Sequence, residues 1–283
     1  MIATVPYGHS SIISARKIAS AGPALAQRVI DQRGVLPALI DAVAAAGARA
    51  SVKRRAVAAA CASALAKIAA AGPAIAQGVA DVRGALPALV NAVAAIGSGG
   101  AEGPADVLAG NSAMTMREIS KGGPGLAQRV ADAPGALPAL VAAVAAGGSS
   151  VKNAASALAE IASAGPVLAQ RVLDQRGALR ALIDAAATGG ARALVKRRGA
   201  AAAALAKIAA AGPALAHRVA EEPGALSALV AALAAGGSSV KHAAAALAEV
   251  ASAGPGLAQC VAQAPRALPA LVGAASVSYT HLR

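Results

Sequence analysis

Apolar residues recur along this chain at helical spacing, and the helices they predict come in groups of three. In the stretch Gly135 to Arg176, Leu137, Leu140, Val141 and Val144 fall at i, i+3, i+4 and i+7, one face of a helix. Gly147 and Gly148 end that helix, and Ser149 or Ser150 is placed to cap the next. The second pattern puts Val151, Ala155, Leu158 and Ile161 or Ala162 on one face, with Lys152, Asn153, Ser156 and Glu160 off it. Ala164-Gly165-Pro166 closes it, because glycine suits the residue past a helix end and proline the first position of the following helix. A short helix, Val167 to Leu173, completes the unit, and at Gly177 the pattern starts again. Three helices in 42 residues, none able to bury its apolar face alone, predict an all-α solenoid.

The Gly-Pro marker recurs at Gly22, Gly72, Gly123, Gly165, Gly212 and Gly254, with spacings of 50, 51, 42, 47 and 42. The basic period is therefore about 42 residues, with three insertions. Two of them, around Arg49 to Arg55 (RASVKRR) and Arg192 to Arg198 (RALVKRR), extend the start of a helix with basic residues. The third, Gly97 to Asp106 (GSGGAEGPAD), is glycine-rich and acidic and predicts a mobile surface loop. Residues 1–10 do not fit the repeat; residues 11–276 carry five complete units with a partial unit at each end. Residues 277–283 (VSYTHLR) break the pattern and resemble one reading frame of a sequencing-library adapter, which sets them outside the fold and marks the chain as a fragment.

Composition changes this picture in two respects. There is no Phe or Trp, so the core must be built from small aliphatic side chains, and each repeat depends on its neighbours for stability. The formal charge of +13 points to acidic partners. Uncharged runs such as Ala133 to Val151 approach membrane-spanning length, but they contain Gly, Pro and Ser in phase with the repeat, so no span is expected. Met1 to Ser10 lacks the apolar core of a secretory signal. Cys61 and Cys260 occupy different repeat positions without a partner motif, which suits a reducing compartment and no metal site.

The order G-A-L-P-A-L-V, V-K-x-A-A-S-A-L-A-E-I-A and L-A-Q-R-V resembles the armadillo repeat over about residues 11 to 275. That resemblance implies an armadillo-type right-handed α-solenoid. Val167 to Leu173 would be a first helix, Ala136 to Ala146 a second on the convex side, and Val151 to Ser163 a third lining the concave groove. Within armadillo proteins, VKNAASALAEIASAGPVLAQRVLDQRGAL is similar to repeats of the sperm-associated antigen six family of the ciliary central apparatus. The matching residues are Val195 to Arg198, Lys207-Ile208-Ala209 and the Leu-Ala-Gln at 168 to 170. The resemblance implies a non-catalytic protein–protein interaction scaffold, cytoplasmic and axonemal, with acidic tubulin tails as the candidate partner. Importin-type and vacuolar adaptors are the competing relatives. Importin-type grooves use a Trp and an Asn four residues apart on the third helix. Here the Asn slot holds Lys17, Lys67, Glu118, Glu160, Lys207 and Glu249, and the Trp slot Ile13, Ser63, Met114, Ser156, Ala203 and Ala245.

Candidate chemistry reduces to charge. No Ser-His-Asp or Cys-His pattern and no phosphate-cradling glycine loop is present, so neither catalysis nor a cofactor or small-molecule substrate is expected. His9, His217 and His242 are isolated, and His281 lies in the terminal segment. Met114 and Met116 suit core or groove filling. Arg28, Arg129, Arg171 and Arg218 form a ladder, each followed three residues later by Asp31, Asp132, Asp174 or Glu221, which predicts ion pairs within one helix. Lys53 with Lys67, and Lys196 with Lys207, return to within about 40 degrees of one helix face. On the armadillo reading that face, with Lys17 added and Glu118, Glu160 and Glu249 interrupting the row, looks into the groove and suits an acidic, extended protein segment. With two Tyr as the only aromatic residues, stacking platforms for single-stranded nucleic acid are lacking, and nucleic acid is a distant alternative.

Overall fold

A computed structural model describes residues 22–32, 34–47, 50–95, 103–188 and 192–280. Among them are seventeen helices and no strand. First helices are α1 (Pro23–Asp31), α4 (Pro73–Asp81), α7 (Pro124–Asp132), α10 (Pro166–Leu173), α13 (Pro213–Glu221) and α16 (Pro255–Gln263). Second helices are α2 (Val35–Ala44), α5 (Ala85–Ala94), α8 (Ala136–Ala145), α11 (Ala178–Ala187), α14 (Ala225–Ala234) and α17 (Ala267–Thr280). Third helices are α3 (Val52–Ala69), α6 (Pro104–Lys121), α9 (Val151–Ser163), α12 (Arg192–Ala210) and α15 (Ser238–Ser252). They form two compact units, one built on α1 to α7 together with Gly148–Ser150, the other on α9 to α17, with α8 divided between them.

The corners follow from two glycines per repeat. Gly165, at φ 148° and ψ 165°, precedes a proline at the first position of α10, where a missing N–H costs no helical hydrogen bond. Gly177, at φ 76° and ψ 3°, makes the left-handed turn into α11. Arg266 occupies the second slot before α17 at φ 64°, the one positive-φ non-glycine among the described residues. A side chain there costs roughly 1–2 kcal/mol.

Stacking is densest between third helices: α3 on α6 in the first unit, and α9 on α12 on α15 in the second. Two columns of large side chains run through these stacks. Seven residues before each closing glycine stand Leu65, Met116, Leu158, Leu205 and Leu247, and four before it Ile68, Ile119, Ile161, Ile208 and Val250, none more than 1% exposed. Alanines fill the space between the columns and let the helices approach closely; Ala62, Ala64, Ala113, Ala202 and Ala204 are fully buried. Removing a branched side chain such as Leu158 would leave a cavity costing about 2–5 kcal/mol.

Two sequence expectations are corrected. The basic insertions do lengthen third helices, α3 to 18 residues and α12 to 19. The acidic insertion, expected as a loop from Gly97 to Asp106, is already helical from Pro104, and Asp106 is buried. Gly103-Pro104 is itself a helix-starting pair, and an aspartate in the first turn is favoured by the helix dipole. Gly97 to Glu102 lie outside the described residues, as do residues 1–21, including Lys17 and the N-terminal segment. Second, of Ser149 and Ser150, the two serines placed to cap α9, Ser149 turns its hydroxyl to Asp106 instead. It donates both its N–H (2.6 Å) and its hydroxyl (2.7 Å) to the Asp106 carboxylate, and the Ser150 N–H donates to the other oxygen at 3.1 Å. Asp106 thus serves donors just before α9 that would otherwise face a buried site. At the C-terminus α17 runs from Ala267 to Thr280.

These hydrogen bonds hold the Asp106 carboxyl below its ordinary value, against burial that pushes it up. Its contribution to stability is therefore present above the unfolded-state value and is lost as pH falls through the lowered folded one. Asp106→Ala should cost roughly 2–3 kcal/mol at neutral pH. Urea unfolding of wild type and variant across pH should show the two converging in strong acid. A constant difference would mean that packing, not the charge, is what Asp106 supplies.

Candidate peptide groove on the third helices

The third helices of the second unit, α9, α12 and α15, line one open groove of about 530 Å³. Counted back from Gly165, Gly212 and Gly254, the lining residues stand 16, 13, 12, 9, 6, 5 and 2 positions before the glycine. Steps of three and one are the signature of a single helix face. Helix α12 lies in the middle and supplies most of the floor through Gly199, Ala200, Ala203, Ala206 and Ala210. Gly199 also marks a close approach: a methyl group there would meet Ser238 Oγ at 3.4 Å.

Charge is carried on the groove's two edges. Lys152, Lys196 and Lys241 come from the N-terminal halves of the three helices, and Glu160, Lys207 and Glu249 from the C-terminal halves. The lysines are exposed and the two glutamates half-buried. Among the described residues, none of these six side chains is joined to another in an ion pair. His242 lies among them, half-buried, and its imidazole is held below its ordinary value, first by burial and then by Lys241 and Lys207.

The candidate residues therefore divide. Glu160, Lys196, Lys207 and Glu249 are brought together, and so are the slots holding Ser156, Ala203 and Ala245. In the first unit Lys67 is exposed near the end of α3, and Lys53 is exposed in its first turn. Lys53 stands nineteen positions before its closing glycine whereas Lys196 stands sixteen before its own, so the two are not equivalent. Glu118 is buried in α6 and paired with Arg117 and with Lys121, the latter at 3.6 Å. The basic run of α12 also splits: Lys196 faces the groove while Arg198 is buried, its Nε donating to the Thr188 carbonyl at 2.9 Å. Sequence reasoning missed Lys152, Lys241 and His242 as groove residues. The repeated GGSSVK at Gly147–Lys152 and Gly236–Lys241 is the signal that marks the two lysines.

The arginine ladder pairs differently from expectation. Arg129 reaches Asp81 of the preceding repeat at 2.7 Å, and Arg218 reaches Asp174 at 3.0 Å. Within α1, α4 and α7, and at the C-terminal end of α10, the aspartate is instead held by a glutamine four residues earlier, as in Gln77–Asp81 and Gln170–Asp174. The hydrogen bonds from Arg129 and then Gln77 hold the Asp81 carboxyl below its usual range. These pairs are exposed and contribute about 0–1 kcal/mol each, so they set register between repeats more than stability. Cys61 is buried, and burial pushes its thiol up to about 11, which keeps it protonated and unreactive. Among the described residues there is no group of His, Cys, Asp and Glu suited to a metal, and no helix long and apolar enough to cross a membrane.

The His242 environment can be read directly by NMR. Its imidazole should titrate below 6.5, and Lys207→Ala should move it upward. Because the folded value is the lower one, neutral His242 leaves stability intact above the unfolded value, and the fold weakens as pH falls toward the folded one. An unshifted titration in both proteins would remove the groove lysines from its surroundings.

No protein-family model matches the sequence, and no curated protein matches it. Solved structures do. An engineered protein is 28% identical with a TM-score of 0.72, the alignment covering 86% of this chain and 91% of that one. A designed armadillo repeat protein is 26% identical with a TM-score of 0.68, covering 87% and 96%. A second designed armadillo repeat protein, in complex with a (KR)4 peptide, is also 26% identical with a TM-score of 0.68, covering 85% and 92%. The helix order, the stacked third helices and these likenesses give the conclusion on fold: the chain is an all-α solenoid of armadillo type.

Proposed function

We propose that the chain is a protein-binding scaffold whose groove over α9, α12 and α15 takes an extended, acidic segment of a partner. One observation carries this reading: Lys152, Lys196, Lys207 and Lys241 line a single open groove, unpaired with one another's neighbouring glutamates, over an alanine floor. Unpaired lysines on a rigid wall offer charge without a pre-existing bond to break. The structural neighbour in complex with (KR)4 supports use of the fold for extended peptides, and the lysines here favour a ligand of opposite sign. The groove slots hold Ser156, Ala203 and Ala245 with Glu160, Lys207 and Glu249, which argues against importin-type recognition through Trp and Asn. On the ciliary resemblance, the location is the axonemal cytoplasm and the acidic tails of tubulin are the candidate ligand.

Lys152, Lys196, Lys207 and Lys241 are exposed, so reversing all four to Glu should leave helicity unchanged by circular dichroism. Binding of a fluorescent acidic tail peptide should fall roughly tenfold or more in the reversed protein. Wild-type binding should also weaken as salt rises, since screening acts over about 8 Å at physiological ionic strength. Equal affinity of both proteins at low and high salt would reject the groove as the docking surface.

A further inference from the structure

Resting on the reading of this groove as a peptide site, we infer that it selects a segment of patterned charge: acidic residues on one face of an extended chain, with a basic residue at either end of the other face. The two edges of the groove are not alike. The N-terminal edge carries Lys152 and Lys241, each thirteen positions before its closing glycine, and Lys196 one turn farther out at sixteen, all of one sign. The C-terminal edge carries Glu160, Lys207 and Glu249, which alternate. Eight residues separate Lys152 from Glu160 and Lys241 from Glu249, so the edges lie about 12 Å apart along the helix axes. That is the span of an extended peptide with side chains reaching out on both sides.

An extended chain running along the groove, across the three helices, turns alternate side chains toward opposite edges. Positions of one parity meet the lysine edge and are best served by Glu or Asp. Positions of the other parity meet the edge that carries Glu160, Lys207 and Glu249. Adjacent packed helices lie roughly 8–10 Å apart, which puts Glu160 and Glu249 roughly 16–20 Å apart. At about 3.3 Å per residue this is roughly five to six residues, and at the six-residue spacing, an even number, one face of the peptide reaches both glutamates. The matching pattern is Lys-Glu-Ala-Glu-Ala-Glu-Lys, with the three glutamates toward the lysine edge and the terminal lysines toward Glu160 and Glu249. A uniformly acidic segment would set like charge against both half-buried glutamates. His242, on the lysine edge between Lys241 and Lys207, adds a further donor to an acidic residue once protonated.

Three heptapeptides test this, each a palindrome so that binding direction has no effect: KEAEAEK, the same composition in the opposite parity as EKAEAKE, and the all-acidic EEAEAEE. Each is blocked at both termini and titrated into the full chain at low salt, for wild type and for the E160K/E249K variant. Wild type should prefer KEAEAEK over EKAEAKE by roughly fivefold, from two charge contacts changing sign. The variant should lose that preference and bind EEAEAEE most tightly. If EEAEAEE binds wild type best, or if KEAEAEK and EKAEAKE bind alike, the patterned-charge inference falls while the acidic-segment reading of the groove stands. If wild type binds none of the three, the groove reading falls and takes the inference with it.

Discussion

The structure depends on the closeness with which helices can stack when their facing sides are mostly alanine. A chain without Phe or Trp cannot close a core around a few large side chains. It relies on two columns, Leu or Met at one position and Ile or Val three residues on, set between fully buried alanines. A single methyl buries little area, at about 0.8 kcal/mol per carbon, so no repeat is stable by itself and each completes the next. Alanine also has the highest helix propensity, which keeps long third helices such as α12 intact while their faces stay flat enough to stack.

Stacking of that kind fixes the groove. Within the second unit, residues 13, 9 and 5 positions before the closing glycine fall on the face that lines the groove, so α9, α12 and α15 each add one rung of side chains. The rungs hold Lys152, Gly199 and Lys241 at the first of these positions, Ser156, Ala203 and Ala245 at the second, and Glu160, Lys207 and Glu249 at the third. Contacts from repeat to repeat then hold the rungs in register. Arg129 to Asp81 and Arg218 to Asp174 bridge successive first helices, and Asp106 gathers the N–H groups of Ser149 and Ser150. The ladder is interrupted where Gly78 and Cys260 replace the arginine, so it aids stacking without being required at every step.

Much of this is legible in the sequence because its signals are local and repeated. Gly165-Pro166 and Gly177 state their corners by backbone chemistry alone, and the i, i+3, i+4 pattern of Leu137, Leu140 and Val141 states its buried face. The sites were legible only in part, for reasons of geometry. Lys196 and Lys53 share a VKRR string but sit one turn apart relative to their closing glycines, so sequence likeness did not mean spatial equivalence. Glu118 shares its slot with Glu160, yet Arg117 and Lys121 fold over it and bury it. The partners of Arg129 and Arg218 lie one repeat back, a relation that no window within one helix can reveal.

The proposed docking surface is the face shared by α9, α12 and α15. The direct measurement is an amide chemical-shift titration of the isotopically labelled chain with an acidic extended peptide. The shifts should concentrate at Ser156, Gly199, Ala203, Lys207, His242 and Ala245, along the groove floor and edges. Shifts gathered instead around Asp174 to Arg180 and Glu222, on the first- and second-helix surface of the same unit, would contradict it.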